Sequence, residues 1–335
     1  MKITIITPSY NQGQFLEDTI KSVLDQNYPD LEFIIVDGGS TDNSVEIIRK
    51  YEKHLAWWVS EKDKGQSDAI NKALRKATGE VINWINSDDM HTPGSLQHVA
   101  DIFKKTKALC VCGPITMFRD EKKWEYPSAY AAGESFTSVF GRDSFNQPGT
   151  FFHRDAIAKM GLPDQRLHYV MDKEWFLRFL LLFGIEKIAV TDQSLALYRF
   201  HDLAKTVAQG KKFFDEYAAL VYRVCEAAGE TQLLPLIAEK FDFKEHPYRW
   251  SAEIPKPGAL AAHQMTAFLL LRRFHKIYNE QDFNYASRLN KAIRWKEIEL
   301  DESLLPLLSK MQNALSYGSW LLFRVRRKLG KTGQY

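Results

Sequence analysis

Cysteine is scarce in this sequence, with three residues in 335, and long apolar runs are missing. Cys110 and Cys112 alternate along one expected strand, which puts both thiols on one face without the four-ligand spacing of a zinc site. We therefore expect reduced thiols and a cytoplasmic protein. No stretch approaches the roughly 18 apolar residues of a membrane span, and the apolar start reaches Pro8 too soon for a signal peptide. A soluble protein, or one peripheral to a membrane, is expected.

The main body also lacks an excess of basic charge. The net charge is +3, yet residues 303–335 hold six basic residues and no acid, which leaves residues 1–302 at −3. This balance argues against a nucleic-acid partner. Within the basic tail, 320–329 places leucines on one helical face and arginines elsewhere, a pattern that fits either an anionic membrane surface or a helix docked on the protein's own core.

Short apolar runs alternate with helical patterns over the first hundred residues. The expected strands are 2–7, 32–37, 56–60 and 80–86, and the expected helices include 13–26 and 66–77. We expect Thr41 or Asp42 to cap the second helix, and Thr92 with Pro93 to open the fourth. This alternation predicts an α/β fold with a doubly wound, mainly parallel sheet and helices on both faces.

After the first hundred residues the expected secondary structure changes twice, first to strands with a long loop and then to helices. Further strands are expected at 108–118, 123–127, 187–190 and 194–200, with a loop-rich acceptor region at 128–150. From residue 205 onward the pattern is helical, punctuated by proline. We therefore divide the chain into a domain of residues 1–204, with a nucleotide-binding half (1–105) and an acceptor half (106–204), and a helical region of residues 205–335.

Four motifs in the first domain carry a specific resemblance. They are Thr7-Pro8-Ser9-Tyr10-Asn11, Val36-Asp37-Gly38-Gly39-Ser40-Thr41-Asp42, Lys64-Gly65-Gln66-Ser67-Asp68-Ala69-Ile70-Asn71 and Asn86-Ser87-Asp88-Asp89. In this order they resemble glycosyltransferase family 2, over residues 1 to about 204. The resemblance implies a nucleotide-sugar transferase of the GT-A fold that inverts the anomeric carbon.

The acids at the end of the fourth strand point to a metal site. A departing diphosphate gains negative charge, which a divalent cation held by carboxylates can offset. Oxygen ligands suit Mn²⁺ or Mg²⁺. The resemblance implies that Asp89 binds the metal and Asp88 the ribose or the metal's shell, although the usual Asp-x-Asp is replaced here. It also implies that His201, in Tyr198-Arg199-Phe200-His201, is a metal ligand or a phosphate contact.

The resemblance further assigns a donor site. Asp37 would accept a hydrogen bond from uracil or a similar base, with Thr7 and Tyr10 beside that base. Lys64 could offset phosphate charge. The remaining expected contacts of the nucleotide sugar are Pro8, Asn11, Gly39, Gly65, Asp68, Asn86 and Ser87.

Displacement at the anomeric carbon also needs a base, because the attacking hydroxyl loses its proton. Asp172 resembles the family's base at a helix start, with Glu174 as runner-up. Glu174 and Arg178 stand four apart, a spacing typical of a helical ion pair. Gln147, Trp124 and Trp175, together with Glu174, are further candidates for the acceptor pocket.

Together these observations predict a metal-dependent inverting glycosyltransferase of polysaccharide or cell-envelope biosynthesis. The expected partners are a UDP-sugar and a glycan or lipid-linked glycan, with homo-oligomerisation left open. The absence of membrane spans and of a Gln-x-x-Arg-Trp motif argues against a processive synthase. A sugar-nucleotide nucleotidyltransferase and a non-catalytic glycan-binding relative remain alternatives.

Overall fold

The computed structural model describes residues 1–127, 134–142, 145–202, 204–205, 209–243, 245–254, 256–280 and 283–298. The chain forms two compact units. The first comprises residues 1–135 and 143–216, and the second comprises 136–142 and 217–335. The predicted boundary near residue 204 stays a prediction.

Eleven strands are found in the described residues, all of them in the first unit. They are β1 (Ile3–Ser9), β2 (Leu31–Asp37), β3 (Trp57–Ser60), β4 (Val81–Trp84), β5 (Met90–His91), β6 (Cys110–Cys112), β7 (Ile115–Arg119), β8 (Lys122–Tyr126), β9 (Thr150–His153), β10 (Ile188–Val190) and β11 (Ala196–Arg199). The helices are α1 (Gly13–Leu24), α2 (Ser44–Tyr51), α3 (Gln66–Leu74), α4 (Ser95–Lys105), α5 (Phe136–Arg142), α6 (Arg154–Met160), α7 (Met171–Phe183), α8 (Gly210–Ala227), α9 (Leu234–Lys240), α10 (Lys256–Glu280) and α11 (Phe283–Ala292).

The first unit is built on a seven-stranded sheet in the order β10-β6-β9-β4-β1-β2-β3. Strand β9 runs antiparallel to its neighbours, and the other pairs are parallel. All seven residues of β1 are buried, as expected for a strand covered on both faces. A smaller sheet has the order β5-β11-β7-β8. The predicted mainly parallel α/β architecture is therefore confirmed.

Helices α2, α3, α4 and α6 pack against strands of the large sheet. Helix α1 buries Leu16, Ile20 and Val23, which lie on one face of the helix. Because β1, β2 and β4 are parallel neighbours, their carboxyl ends meet at one edge of the sheet. Ligands bind at that edge in open α/β sheets.

One predicted helix start was wrong, and a second was partly right. Helix α4 begins at Ser95 after Gly94, because the Thr92 hydroxyl donates instead to the carbonyl of Ser194 (2.5 Å). Asn43, rather than Thr41 or Asp42, precedes α2. The Asp42 carboxylate nevertheless accepts from the backbone N–H of Ser44 (3.0 Å), the first residue of α2, and also from that of Gly13 (2.9 Å) at the start of α1.

The second unit is helical in its described residues. Its helices are α5, the end of α8, α9, α10 and α11. Among the described helices, none has the length and apolarity needed to cross a bilayer. The basic tail, 303–335, lies outside the described residues, as do 128–133 and 143–144 of the predicted acceptor loop.

Candidate functional site

A cavity of about 760 Å³ lies in the first unit, at the carboxyl edge of the large sheet. Eight residues predicted from the sequence line it. Those expected to bind the nucleotide sugar are Pro8, Tyr10, Gly65, Asn86, Ser87 and Asp88, and the others are Gln147 and Asp172. Asp88, expected near the leaving group, and Asp172, the expected base, therefore line the same cavity.

Asp88, which lines this cavity, pairs with His201, which lines a second and smaller cavity. The Oδ2 atom of Asp88 lies 3.0 Å from Nε2 of His201. Their side chains are 19% and 14% exposed. The His201 ring also packs on Phe15, with the ring centroids 4.8 Å apart. A carboxylate and an imidazole, separated by more than 110 residues in sequence, therefore converge on one point.

Asp89 is in a different environment, because it is 1% exposed and does not line the cavity. Its Oδ1 atom accepts from the backbone N–H of Arg199 (3.0 Å), and Oδ2 accepts weakly from Asn86 (3.4 Å). Burial, and then the charge of Asp88, raises the pKa of Asp89 well above its usual range. Asp88 thus faces the cavity, while Asp89 ties the turn after β4 to β11. The expected sharing of metal and ribose roles between the two acids stays a prediction.

Asp37 is fully buried at the end of β2. Its carboxylate accepts from the backbone N–H groups of Gly39 (3.1 Å) and Ser40 (2.9 Å) and from the hydroxyls of Ser40 and Ser60. Asn11 holds the same loop, because its side chain accepts from the N–H of Thr41 (2.8 Å). In this arrangement the Asp37 carboxylate holds the loop around Gly39. Its expected contact with the nucleotide base stays a prediction.

Thr7 is also fully buried, in β1, and does not reach the cavity surface. Its hydroxyl has no hydrogen-bond partner within the described residues. Tyr10, by contrast, is 61% exposed at the cavity. Of the two residues expected beside the base, Tyr10 is the accessible one.

Lys64 and Asp68 are not among the residues that line the cavity, and Lys64 is exposed. The Asp68 carboxylate accepts from the backbone N–H of Lys64 (3.1 Å) and from the side chain of Gln165 (2.8 Å). Two neighbours that the motif analysis missed, Lys62 and Asp63, line the cavity instead. Partial burial raises the pKa of Asp63. Charge alone could not have distinguished these residues in a segment as rich in acids and lysines as 61–64.

Asp172 stands in the first turn of α7, half-buried at the cavity. Its Oδ1 atom accepts from the backbone N–H of Lys173 (2.9 Å). This is the only carboxylate of α7 that lines the cavity in the described part of the chain. The position agrees with the expected base.

Glu174 and Trp175 face away from the cavity, contrary to their expected acceptor roles. Glu174 is 3% exposed and forms a two-oxygen ion pair with Arg178 (2.6 and 2.7 Å). Trp175 is 1% exposed and packs on Trp84, and its indole donates to the carbonyl of Gly161 (2.8 Å). The helical period explains the direction of Glu174, which stands two positions after Asp172. Trp175 stands three positions after it and is instead buried by packing on Trp84 and Phe152.

Gln147 and Trp124, the other acceptor candidates, differ in exposure. Gln147 lines the cavity and is 7% exposed, with its amide donating to the carbonyl of Trp84. Trp124 is 41% exposed on β8 and meets the ring of Phe200 edge-on at 6.2 Å. Near Trp124, the aromatic residues that line the cavity are Tyr126, Tyr198 and Phe200.

Three further cavity residues come from later segments and carried no recognisable sequence signal. His168 and Tyr169 precede α7, and Lys205 follows β11. The Lys205 ammonium donates to the side chain of Gln66 (2.9 Å). Lys205 thus supplies a cation to the cavity where Lys64 was expected to do so.

This geometry agrees with a family match. The model of the glycosyl transferase family 2 matches residues 4–174, which is half of the chain. The chain belongs to glycosyl transferase family 2. The match ends two residues after Asp172, so it contains the strand ends and the start of α7 that build the cavity. The predicted family is confirmed.

Related proteins carry the same class of domain. Over 92 residues this family 2 chain is 44% identical to a putative teichuronic acid biosynthesis glycosyltransferase, TuaG, of Bacillus subtilis, covering 26% of this chain and 36% of the relative. The matched segment spans about a third of the length of such curated relatives, 35% and 36% in two of them. The prediction of a glycosyltransferase domain is therefore confirmed.

Solved structures share the fold. TarS 1-349 of S. aureus, in complex with UDP-GlcNAc, superposes with a TM-score of 0.61 at 15% identity, covering 100% of this chain and 93% of TarS 1-349. The mannosyltransferase PcManGT of Pyrobaculum calidifontis, in complex with GDP-Man and Mn²⁺, has a TM-score of 0.56 at 16% identity, covering 98% and 85%. These likenesses confirm the expected GT-A fold.

Proposed function

We propose that this family 2 protein transfers a sugar from a nucleoside diphosphate donor to a hydroxyl group, with inversion and with help from a divalent cation. The observation that carries the proposal is that Asp88 and Asp172 line one cavity at the carboxyl edge of the sheet. Inverting displacement needs a group that stabilises the leaving diphosphate and a base that acts on the acceptor. The cavity offers a candidate for each.

Asp88 and His201 are the proposed metal-binding residues. No group of three or more His, Cys, Asp or Glu side chains within the described residues is arranged to hold a metal. The pair fits a cation that takes its other ligands from the donor, since a carboxylate and an imidazole both bind Mn²⁺. When bound, Mn²⁺ or Mg²⁺ would offset charge on the diphosphate. The likeness to PcManGT, crystallised with GDP-Man and Mn²⁺, supports this choice.

Lys205 is proposed to contact the leaving diphosphate. Its ammonium is held at the cavity by the side chain of Gln66. A fixed cation stabilises a developing anion without reorganising during the reaction. Lys205 would therefore contribute together with Asp88 and His201.

Asp172 is proposed to be the general base. It would accept the proton of the acceptor hydroxyl as that oxygen attacks the anomeric carbon. Replacing a base by its amide lowers turnover by roughly 10² to 10⁴. Donor binding should be spared, because Asp172 acts on the acceptor.

The donor is proposed to be a UDP-sugar and the acceptor a glycan hydroxyl of polysaccharide or cell-envelope biosynthesis. TarS was crystallised with UDP-GlcNAc, and TuaG is named for teichuronic acid biosynthesis, which supports both choices. The exposed Tyr10 offers a ring on which a base could stack. The proposed site of action is the cytoplasm.

The test is release of the nucleoside diphosphate from UDP-GlcNAc and from GDP-mannose, with Mn²⁺ and with chelator. We expect UDP release that chelator abolishes. The Asp88→Asn variant should need roughly tenfold or more Mn²⁺ for half-maximal rate. Asp89→Asn, the matched control, should leave that requirement within about twofold, since Asp89 does not line the cavity. A reaction insensitive to chelator would refute the metal dependence, and the reverse order of the two variants would return the metal to Asp89.

A further inference from the structure

A buried carboxylate outside the cavity binds the turn 168–170, directly before the helix that carries Asp172. Glu216 lies on α8, is 4% exposed and does not line the cavity. Its carboxylate accepts hydrogen bonds from three consecutive backbone N–H groups, those of His168 (2.9 Å to each oxygen), Tyr169 (2.5 Å) and Val170 (3.0 Å). Glu216 therefore binds the turn directly before α7.

This turn needs an external partner. Val170 is the residue before the first turn of α7, and its own side chain makes no capping hydrogen bond. The N–H groups at a helix start have no partner within the helix and are satisfied by caps, water or other groups. A carboxylate is favoured there by the helix dipole as well. Glu216 supplies both the acceptor atoms and the charge.

The turn is also held from its other side. The hydroxyl of Ser67, in α3, donates to the carbonyl of Leu167 (2.7 Å). The phenol of Tyr169 donates to the side chain of Gln209 (2.5 Å). His168 and Tyr169 line the cavity themselves. Backbone contacts from α3 and α8 thus fix a short segment that carries part of the cavity wall, with Asp172 two residues beyond it.

We propose that Glu216 is a positioning residue for the reaction, which holds the turn 168–170 and so aims Asp172 at the acceptor oxygen. This proposal rests on the proposed function, because it takes Asp172 as the base. Glu216 itself touches no substrate, since it is buried outside the cavity. Displacement of a reacting group by about 1 Å can cost roughly 10²-fold in rate, which gives such a residue leverage.

The first test is a double-mutant cycle measured as UDP release from UDP-GlcNAc with Mn²⁺ by the full chain. Glu216→Gln should lower kcat by about 10- to 100-fold and leave KM for UDP-GlcNAc within about twofold. In an Asp172→Asn background the same change should cost less than about twofold. Asp215→Asn, the matched control beside it on α8, removes a carboxylate that pairs with Lys211 and should leave kcat within about twofold. An equal loss in both backgrounds would overturn the proposal.

A second measurement does not depend on activity. Hydrogen–deuterium exchange at the amides of 168–170 should be about tenfold faster in Glu216→Gln than in Asp215→Asn, because the acceptor of those N–H groups is weakened. Unchanged exchange would overturn the proposal. Should Glu216→Gln fail to fold, Glu216→Asp keeps the charge on a shorter stem and should show the same pattern with a smaller loss. If Asp172→Asn kept full turnover, the proposed base would be refuted, and exchange would still decide whether Glu216 holds the turn.

Discussion

Replacing Glu174 with glutamine is expected to damage stability and spare the chemistry, whereas replacing Asp172 with asparagine should do the reverse. Glu174 is 3% exposed, and both of its oxygens bond to Arg178, at 2.6 and 2.7 Å. Breaking a buried ion pair from one side costs about 3 to 5 kcal/mol. Because glutamine keeps one acceptor oxygen and Arg178 keeps its bonds to the carbonyls of Met160 and Leu162, we expect about 3 kcal/mol.

That loss is measurable as a melting temperature. Glu174 lies in the first unit, which has roughly 200 residues. For a unit of that size each kcal/mol moves Tm by about 2 to 4 °C, so the Tm of this unit should fall by about 6 to 12 °C in Glu174→Gln. Glu226→Gln is the matched control, since Glu226 pairs with Arg223 at 2.9 Å but is 52% exposed. An exposed pair contributes at most about 1 kcal/mol, so Tm should move by less than about 4 °C.

The assay compares Tm with kcat for UDP release at a temperature at which every variant is folded. Asp172→Asn should lose roughly 10² to 10⁴ in kcat. Glu174→Gln should stay within about threefold of the parent in kcat, because its carboxylate faces Arg178 rather than the cavity. A large loss of kcat in Glu174→Gln with little change in Tm would refute this reasoning and make Glu174 the base.

Two further predictions concern buried side chains, and a third concerns the cation at the cavity. Trp175→Ala should cost about 3 to 5 kcal/mol of unfolding free energy, whereas Trp124→Ala should cost less than about 1, as chemical denaturation would show; equal costs would contradict the assigned environments. Burial lowers the pKa of His91 from 6.5 to about 4, so unfolding free energy should fall by up to about 3 kcal/mol as the pH drops from 6.5 to 4, and His91→Asn should flatten that part of the pH curve. Lys205→Gln should lower kcat for UDP release by about 10²-fold, and an unchanged rate would remove Lys205 from the leaving-group site.

Local sequence patterns were enough to predict the fold and the place of the site. Buried parallel strands read as continuous apolar runs, and their carboxyl ends must share one edge, so Asp88 and the loop after Asp37 could be placed together. Asp172 at a helix start was equally readable. The start of α4 was not, because the Thr92 hydroxyl finds a partner in Ser194, which is distant in sequence.

What the sequence by itself determined is the order of strands and helices, and the set of acids that reach the sheet edge. Only the tertiary structure decided that Asp88 rather than Asp89, and Asp172 rather than Glu174, faces the cavity. Asp89 points into the protein because its carboxylate accepts from the backbone N–H of Arg199, 110 residues further on. Glu174 points away from the cavity because it pairs with Arg178, which is bonded to two backbone carbonyls before α7. Neighbouring residues point in different directions along a turn or a helix, and the direction that is buried depends on which distant segment packs there.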